Sequence, residues 1–381
     1  MLWINFLHLY QPANSEARHI EEATEKSYWR IVRALEEHPR TRFTLNISGC
    51  LILRWEDLGY SSLLERLSRL VRRGQAELVG SAAYHPLLPL IPEAEAERQI
   101  LENEAILEKY FQVKPRGFFL PEMDYSPKAA KLVKKLGYEW LILDEISCTG
   151  KLGQAEPGRV YLDGNSGLKV LFRSREFSQS YIPEKLLKSD AEGALVTATD
   201  GELYGLRHED PDAYFEKILK TGIKTSTISE FIRGKKPIRA SLVPSTWEST
   251  EEELRAGRPF ALWADKKNSI QVRLWKLAAL AYETGEKFKR DENHYWFRWH
   301  LVRGLASCTF WWASAKDLKH VFGPISWGPD EIERGTNELV RAIRSLADIG
   351  TRPAKLRAEK LNSEIRKLVW ERHWRKYWKK K

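Results

Sequence analysis

Short apolar runs rich in β-branched and aromatic residues recur through the first half of the chain, at 2–7, 43–47, 76–80, 117–120, 140–143, 169–172 and 194–199. Runs this short read as buried strands. Most of the gaps between them carry a helical period. Residues 61–73 put Leu63, Leu64, Leu67, Leu70 and Val71 on one face, 93–111 is a longer amphipathic stretch, and 128–136 follows Ser126-Pro127, a cap with proline in the first turn. Asp210-Pro211 opens 212–219 in the same way. The exception is 150–168, where glycines and Asp163-Gly164-Asn165 predict a hairpin excursion.

Strands alternating with helices imply a parallel sheet with right-handed crossovers. An open doubly wound sheet fits the strand number, but no Gly-x-Gly-x-x-Gly follows the first strand. A closed barrel explains more, because polar residues stand just past strand ends: His8 after the first, His85 after the third, Glu122 after the fourth and Asp200 after the seventh. In an α/β barrel those positions converge on one mouth, where such folds keep their chemistry. Beyond about residue 254 the strand signals fade and helical patterns lengthen, at 269–289, 291–314, 330–346 and 355–378, with breakers around Gly285, Gly323-Pro324 and 350–353. The predicted architecture is α/β: a seven-stranded (β/α) barrel over 1–250 and a C-terminal helical bundle over 251–381, joined through 221–249.

Composition alters this picture little. The formal charge of +10 is partly an effect of the final segment, Arg372 to Lys381, and a basic balance by itself names no partner. Three separated cysteines, Cys50, Cys148 and Cys308, form neither a metal pattern nor a disulfide framework. The start, Met-Leu-Trp-Ile-Asn-Phe-Leu, reads as a strand and not as a leader, and no apolar run approaches the ~20 residues of a membrane span. A soluble, cytoplasmic protein without nucleic-acid or membrane partners, metal or cofactor is expected. Its oligomeric state is open.

Two carboxylates carry the candidate chemistry: Glu122 in Phe119-Leu120-Pro121-Glu122-Met123-Asp124-Tyr125 and Asp200 in Asp200-Gly201-Glu202-Leu203-Tyr204-Gly205. Two carboxyl groups flanking a sugar bond are the equipment of glycoside hydrolysis. Alone, the Glu122 motif also reads as acidic residues before a capped helix, and Asp200-Gly201-Glu202 as a turn after a strand. Together, at the ends of strands four and seven, they point to a site. Two further segments join them, His8-Leu9-Tyr10-Gln11-Pro12 and Gly80 to Leu90 around Tyr84-His85-Pro86, where two prolines stiffen the loop.

In order and spacing these four segments resemble the sequence regions of glycoside hydrolase family 57, which includes α-amylases, 4-α-glucanotransferases, branching enzymes and some α-galactosidases. Ser307 to Ser314, with Trp311 and Trp312, is similar to the aromatic region on the helical part of these enzymes. The resemblance implies an α-glucan substrate, a retaining double displacement with Glu122 as nucleophile and Asp200 as acid/base, and a helical part completing the cleft. His8, Tyr10, Gln11, His85, Asp124, Glu202, Trp311 and Trp312 are the expected substrate-binding residues. Tyr10 departs from the family, which has a second histidine there. Tyrosine still donates a hydrogen bond but carries no positive charge near pH 7. Asp200 needs burial or a neighbouring negative charge to hold its proton, and Glu202, two residues on along a strand-like segment, is the candidate for that charge.

Of fifteen tryptophans, Trp29, Trp55 and Trp140 are assigned to packing, and Trp247, Trp263 and Trp327 follow Trp311 and Trp312 as cleft candidates. Trp311 and Trp312 are adjacent, so on a helix they point about 100° apart. Trp370, Trp374 and Trp378 form a stripe among lysines and arginines, read as docking the last helix on its own domain. Leu361, Ile365 and Leu368 form a second stripe roughly opposite, so the helix must bury two faces or bend. Competing readings are a transglycosidase on the same residues, a metal-dependent polysaccharide deacetylase and an inactive glucan-binding protein. The deacetylase ranks low because no two of the nine histidines lie four apart.

Overall fold

All seven apolar runs are strands in the computed structural model of the protein, which describes residues 1–190, 192–316 and 326–377. They are β1 (Leu2–Leu9), β2 (Phe43–Ile47), β3 (Ala76–Leu78), β4 (Gly117–Phe118), β5 (Trp140–Asp144), β7 (Lys169–Arg173) and β8 (Ala194–Asp200). Three short strands join them: β6 (Val160–Asp163), β9 (Lys224–Thr225) and β10 (Ile238–Ala240). The predicted hairpin excursion is β6, which runs antiparallel to β7 with Val160 opposite Leu171. Every other pairing between named strands is parallel.

The ladders do not run on as one ring. They form two five-stranded sheets, one in the order β3-β2-β1-β8 with β9 also on β1, the other β10-β6-β7-β5-β4. Where β3 passes β4 there is a single bridge, Gly80 to Phe118, made by Gly80 N–H on the Gly117 carbonyl and Phe119 N–H on the Gly80 carbonyl, both at 2.9 Å. Local crowding explains why glycines stand at this bridge. A Cβ at Gly80 would lie 2.2 Å from the Tyr138 hydroxyl, and one at Gly117 2.0 Å from the Trp140 ring. At the other boundary Ser174 N–H donates to the Val196 carbonyl at 2.9 Å.

The chain divides into two compact units, Met1–Ala83 with Leu88–Pro259, and Tyr84–Leu87 with Phe260–Lys381. In the first unit, α1 (Ser61–Arg72), α2 (Glu93–Phe111) and α3 (Pro127–Lys135) lie close to their predicted bounds. Ser126 Oγ caps α3 by accepting from Ala129 N–H at 3.1 Å. α4 (Tyr214–Lys220) starts two residues later than its proline predicted. Ala213 takes a left-handed φ of 51°, and Asp210 reaches past it to cap Tyr214 and Phe215 N–H at 2.9 and 3.2 Å.

The second unit contributes α5 (Ser269–Lys287), α6 (His294–Gly304), α7 (Ser307–Trp311), α8 (Pro329–Ser345) and α9 (Arg352–Arg372). The predicted single helix over 291–314 is therefore two. The chain extends at Ala306 to pair with Pro86, and Ser307 N–H donates to the His85 carbonyl at 2.9 Å. Close helix approach uses Gly304, where a Cβ would lie 2.6 Å from Leu339 Cδ2. α9 docks by Ala354, Ala358, Ile365 and Val369, the two aliphatics alone worth roughly 1.5–3 kcal/mol each. The tryptophan stripe does less than expected. Trp370 donates to Glu333, Trp374 is 54% exposed, and Trp378 lies outside the described residues, as do Gly323 and Pro324. Among the described residues no helix is long and apolar enough to cross a membrane.

Candidate active site

Glu122 stands in a one-turn helix (Pro121–Met123) directly after β4, with φ 57° and ψ 17°. A non-glycine residue held left-handed costs of order 1–3 kcal/mol and persists only where its surroundings enforce it. Here the enforcement comes from the 240s. Trp247 N–H donates to the Glu122 carbonyl at 3.1 Å and the Trp247 indole N–H to Glu122 Oε2 at 2.9 Å. Ser245 pairs with Tyr125 in the same antiparallel contact. The segment read from sequence as a mere connection is thus the clamp on Glu122, and Trp247, a candidate cleft aromatic, holds Glu122 through its N–H groups.

Asp124, two residues on, is fully buried. Its Oδ2 accepts from Leu88 N–H at 2.6 Å, and burial, with the Glu122 charge adding, holds its carboxyl well above the usual range. In this position Asp124 fixes the loop at Leu88 and contributes no exposed surface for a sugar.

On β8, Asp200 is in register with His8 of β1, which is in register with Asn46 of β2. His8 Nδ1 lies 2.7 Å from Asn46 Oδ1. Burial pulls His8 down to about 4 against the opposing pull of Asp200, so it is a neutral ring at pH 7. It stacks on Tyr10 at 5.6 Å and lies 4.7 Å from Phe119. Tyr10 is only 8% exposed, and its ring is part of this aromatic packing.

Asp200 does not stand alone. Arg207 Nη1 meets its Oδ2 at 2.6 Å, an ion pair invisible to strand-end reasoning because Arg207 lies in the following loop. Gly205 makes that return possible: its φ is 141°, and a Cβ there would lie 2.1 Å from the Lys26 carbonyl.

Glu202 departs from the strand-like geometry expected of it, because Gly201–Leu203 is a tight helical turn. It is turned to the Gln11 side-chain N–H, at 2.8 Å, and to the Tyr28 hydroxyl, at 2.5 Å. Burial pushes it up to about 7, with Arg207 opposing and Asp200 adding. Between the ordinary value of 4.5 and about 7 the folded protein holds a proton that the unfolded chain has released. This group's contribution to stability therefore falls as pH rises through that window. Glu202→Gln removes the slope, so its stability should gain on the wild type's from pH 4.5 to 8, by at most ~3.4 kcal/mol, read as a rise in its thermal midpoint relative to the wild type's. His8 acts in the opposite sense and cancels in the comparison. Parallel melting curves of the two proteins across this range check it.

The remaining expected residues belong to the second unit. His85, buried with φ 57°, places Nδ1 3.0 Å from Ser307 Oγ. Trp311 and Trp312 touch each other edge to face at 4.5 Å, despite diverging directions along the chain. Trp263 is buried, and Trp327 donates to His373. Tyr295, Trp296 and Trp299 form an exposed row on α6 that sequence reading passed over. Among the described residues no three His, Cys, Asp or Glu side chains are gathered as metal ligands.

The first unit thus belongs to the class of parallel α/β proteins that carry carboxylates at the carboxyl ends of their strands. The sequence profile of glycosyl hydrolase family 57 matches residues 5–242, and the chain belongs to that family. An α-amylase of Pyrococcus horikoshii is 32% identical over 219 residues, 53% of this chain and 34% of that protein. Alpha-amylase 1 of Dictyoglomus thermophilum is 28% identical over 223 residues, 55% and 32% of the two chains. The matched segments span about a third of these relatives. The solved 4-alpha-glucanotransferase of Thermococcus litoralis has the same fold, with TM-score 0.71, 20% identity, and 91% of this chain and 60% of that one covered.

Proposed function

We propose that the protein is a retaining glycosidase acting on α-glucans, with Glu122 as nucleophile and Asp200 as acid/base. The observation that carries the reading is the strained, doubly clamped Glu122, in the same compact unit as Asp200 with its arginine. Backbone strain of this kind clusters at functional sites, and a carboxylate is the covalent nucleophile that glycosidases use. In the first half-reaction Glu122 attacks the anomeric carbon while Asp200 gives its proton to the leaving oxygen. In the second, Asp200 takes a proton from water and the ester to Glu122 is hydrolysed. Arg207 holds Asp200 Oδ2 in the free protein, so the proton travels on Oδ1 or the guanidinium swings aside when substrate enters.

The same reading takes the seven parallel strands as one barrel, with the Gly80–Phe118 bridge and the Ser174–Val196 hydrogen bond as its seams. It takes Trp311 and Trp312, on the helical second unit, as sugar-binding aromatics. Transfer to a second glucan on the same two carboxylates is the alternative, and the family relatives include both kinds of enzyme. Product analysis on amylose and maltooligosaccharides tests the proposal. Shorter sugars alone support hydrolysis, longer as well as shorter chains support transfer, and no change in any glucan overturns the substrate class.

A further inference from the structure

Two arginines share one buried carboxylate behind Glu122, and they differ in what else they touch. Asp144 ends β5 in register with Arg173 at the end of β7, and their side chains are 0% and 4% exposed. Arg175 Nη2 meets Asp144 Oδ1 at 2.7 Å and its Nη1 donates to the Ser249 carbonyl at 2.8 Å. Arg175 alone therefore keeps Asp144 paired, which is what the fold requires of a buried charge.

Arg173 reaches further. Its Nε donates to Asp144 Oδ2 at 2.8 Å, Nη1 to the Ala198 carbonyl at 2.8 Å and Nη2 to the Trp247 carbonyl at 3.3 Å. Its guanidinium centre lies 5.1 Å from the centre of the Trp247 ring. Ala198 is two residues before Asp200 on β8. Trp247 is the residue whose indole and backbone N–H groups hold Glu122. One cation thus ties the strand that carries one carboxylate to the clamp on the other.

We propose that Arg173 is a positioning residue for the reaction, fixing Glu122 relative to Asp200 through Trp247 on one side and β8 on the other. Arg175, buried on the same anion, reaches the 240s only at the Ser249 carbonyl and, among the described residues, hydrogen-bonds neither Trp247 nor β8, so it is not part of this tie. The inference rests on the glycosidase reading for its kinetic consequence, but the tie itself is readable without turnover. A planar guanidinium is needed, since lysine can meet Asp144 but cannot make three in-plane hydrogen bonds and stack.

The test compares Arg173→Gln, Arg173→Lys and Arg175→Gln for kcat and KM on a maltooligosaccharide, for thermal midpoint, and for the Trp247 indole N–H resonance in tryptophan-labelled protein. That resonance is assigned by its loss in Trp247→Phe. Misplacing a reacting group by about 1 Å costs about 10²-fold. Arg173→Gln should therefore lower kcat by about 10–100-fold with KM changed less than about threefold. Arg173→Lys should recover only part. Arg175→Gln should lower the melting point while keeping kcat within about threefold. The Trp247 resonance should move in Arg173→Gln and stay in Arg175→Gln.

Equal kcat losses in both glutamine variants, tracking their melting points, would overturn the proposal. So would a Trp247 resonance indifferent to Arg173. If Arg173→Gln does not fold, Arg173→Lys carries the same comparison. If the wild type turns over no glucan, the activity reading fails by itself, and the resonance still decides whether Arg173 acts on the Glu122 clamp.

Discussion

Glu122→Gln should lower turnover of maltooligosaccharides by more than about 10³-fold, the scale of losing a covalent nucleophile, with KM little altered. Glutamine has the same shape and can still accept the Trp247 indole N–H through its side-chain oxygen, so the clamp survives. What it lacks is the charge and nucleophilicity that form the glycosyl ester. The left-handed backbone at residue 122 is set by the turn and the Trp247 contact, so the thermal midpoint should stay close to the wild type's. Initial rates and melting curves on the same preparation check both halves. A variant that keeps more than a tenth of wild-type turnover would remove Glu122 from the chemistry.

Asp200→Ala should cost about 10²–10⁴-fold on the same substrates, the usual contribution of a positioned proton donor. The size should depend on the leaving group. A sugar alkoxide leaves only with a proton, whereas fluoride leaves without one, so formation of the glycosyl-enzyme from a glycosyl fluoride should be nearly unimpaired. Its hydrolysis should still be slow, because the same carboxylate activates water. Rates on both donors separate a lost acid from a damaged site, since damage slows both donors alike.

Strand-end reasoning reached further than it was applied. It picked out His8, Glu122 and Asp200, each the polar residue at or just past the end of an apolar run. The same rule, used on the runs at 140–143 and 169–172, points to Asp144 and Arg173, which form the buried pair behind the site. Arg207 had no such signature. It returns to Asp200 only because Gly205 turns the loop against Lys26, a close approach that one sequence does not announce. The tyrosine in place of the family histidine was legible as a departure. It stacks on His8, which in turn packs against Phe119 and Trp247, residues from three stretches far apart in the chain. The break after Gly304 was equally hidden, because a lone glycine in a helical pattern also reads as tolerated, and the pairing of Ala306 with Pro86 is what draws the chain out.

Strand count was the easier part, since each run is short, apolar and bounded by turns. How the ladders join was harder. β4 has two residues and β3 three, and at Gly80 and Gly117 the pressure comes from the side chains of Tyr138 and Trp140. Glu202 shows a related limit. Its spacing from Asp200 was read with a strand period, but the strand ends at Asp200, and the turn aims Glu202 at Gln11 and Tyr28.

The central claim is a covalent intermediate on Glu122, and trapping it is the most direct measurement. Asp200→Ala protein incubated with α-maltosyl fluoride and digested should yield one peptide carrying a maltosyl ester, and fragmentation should place it on Glu122. An adduct on any other residue, or release of fluoride with no adduct at all, would contradict the account.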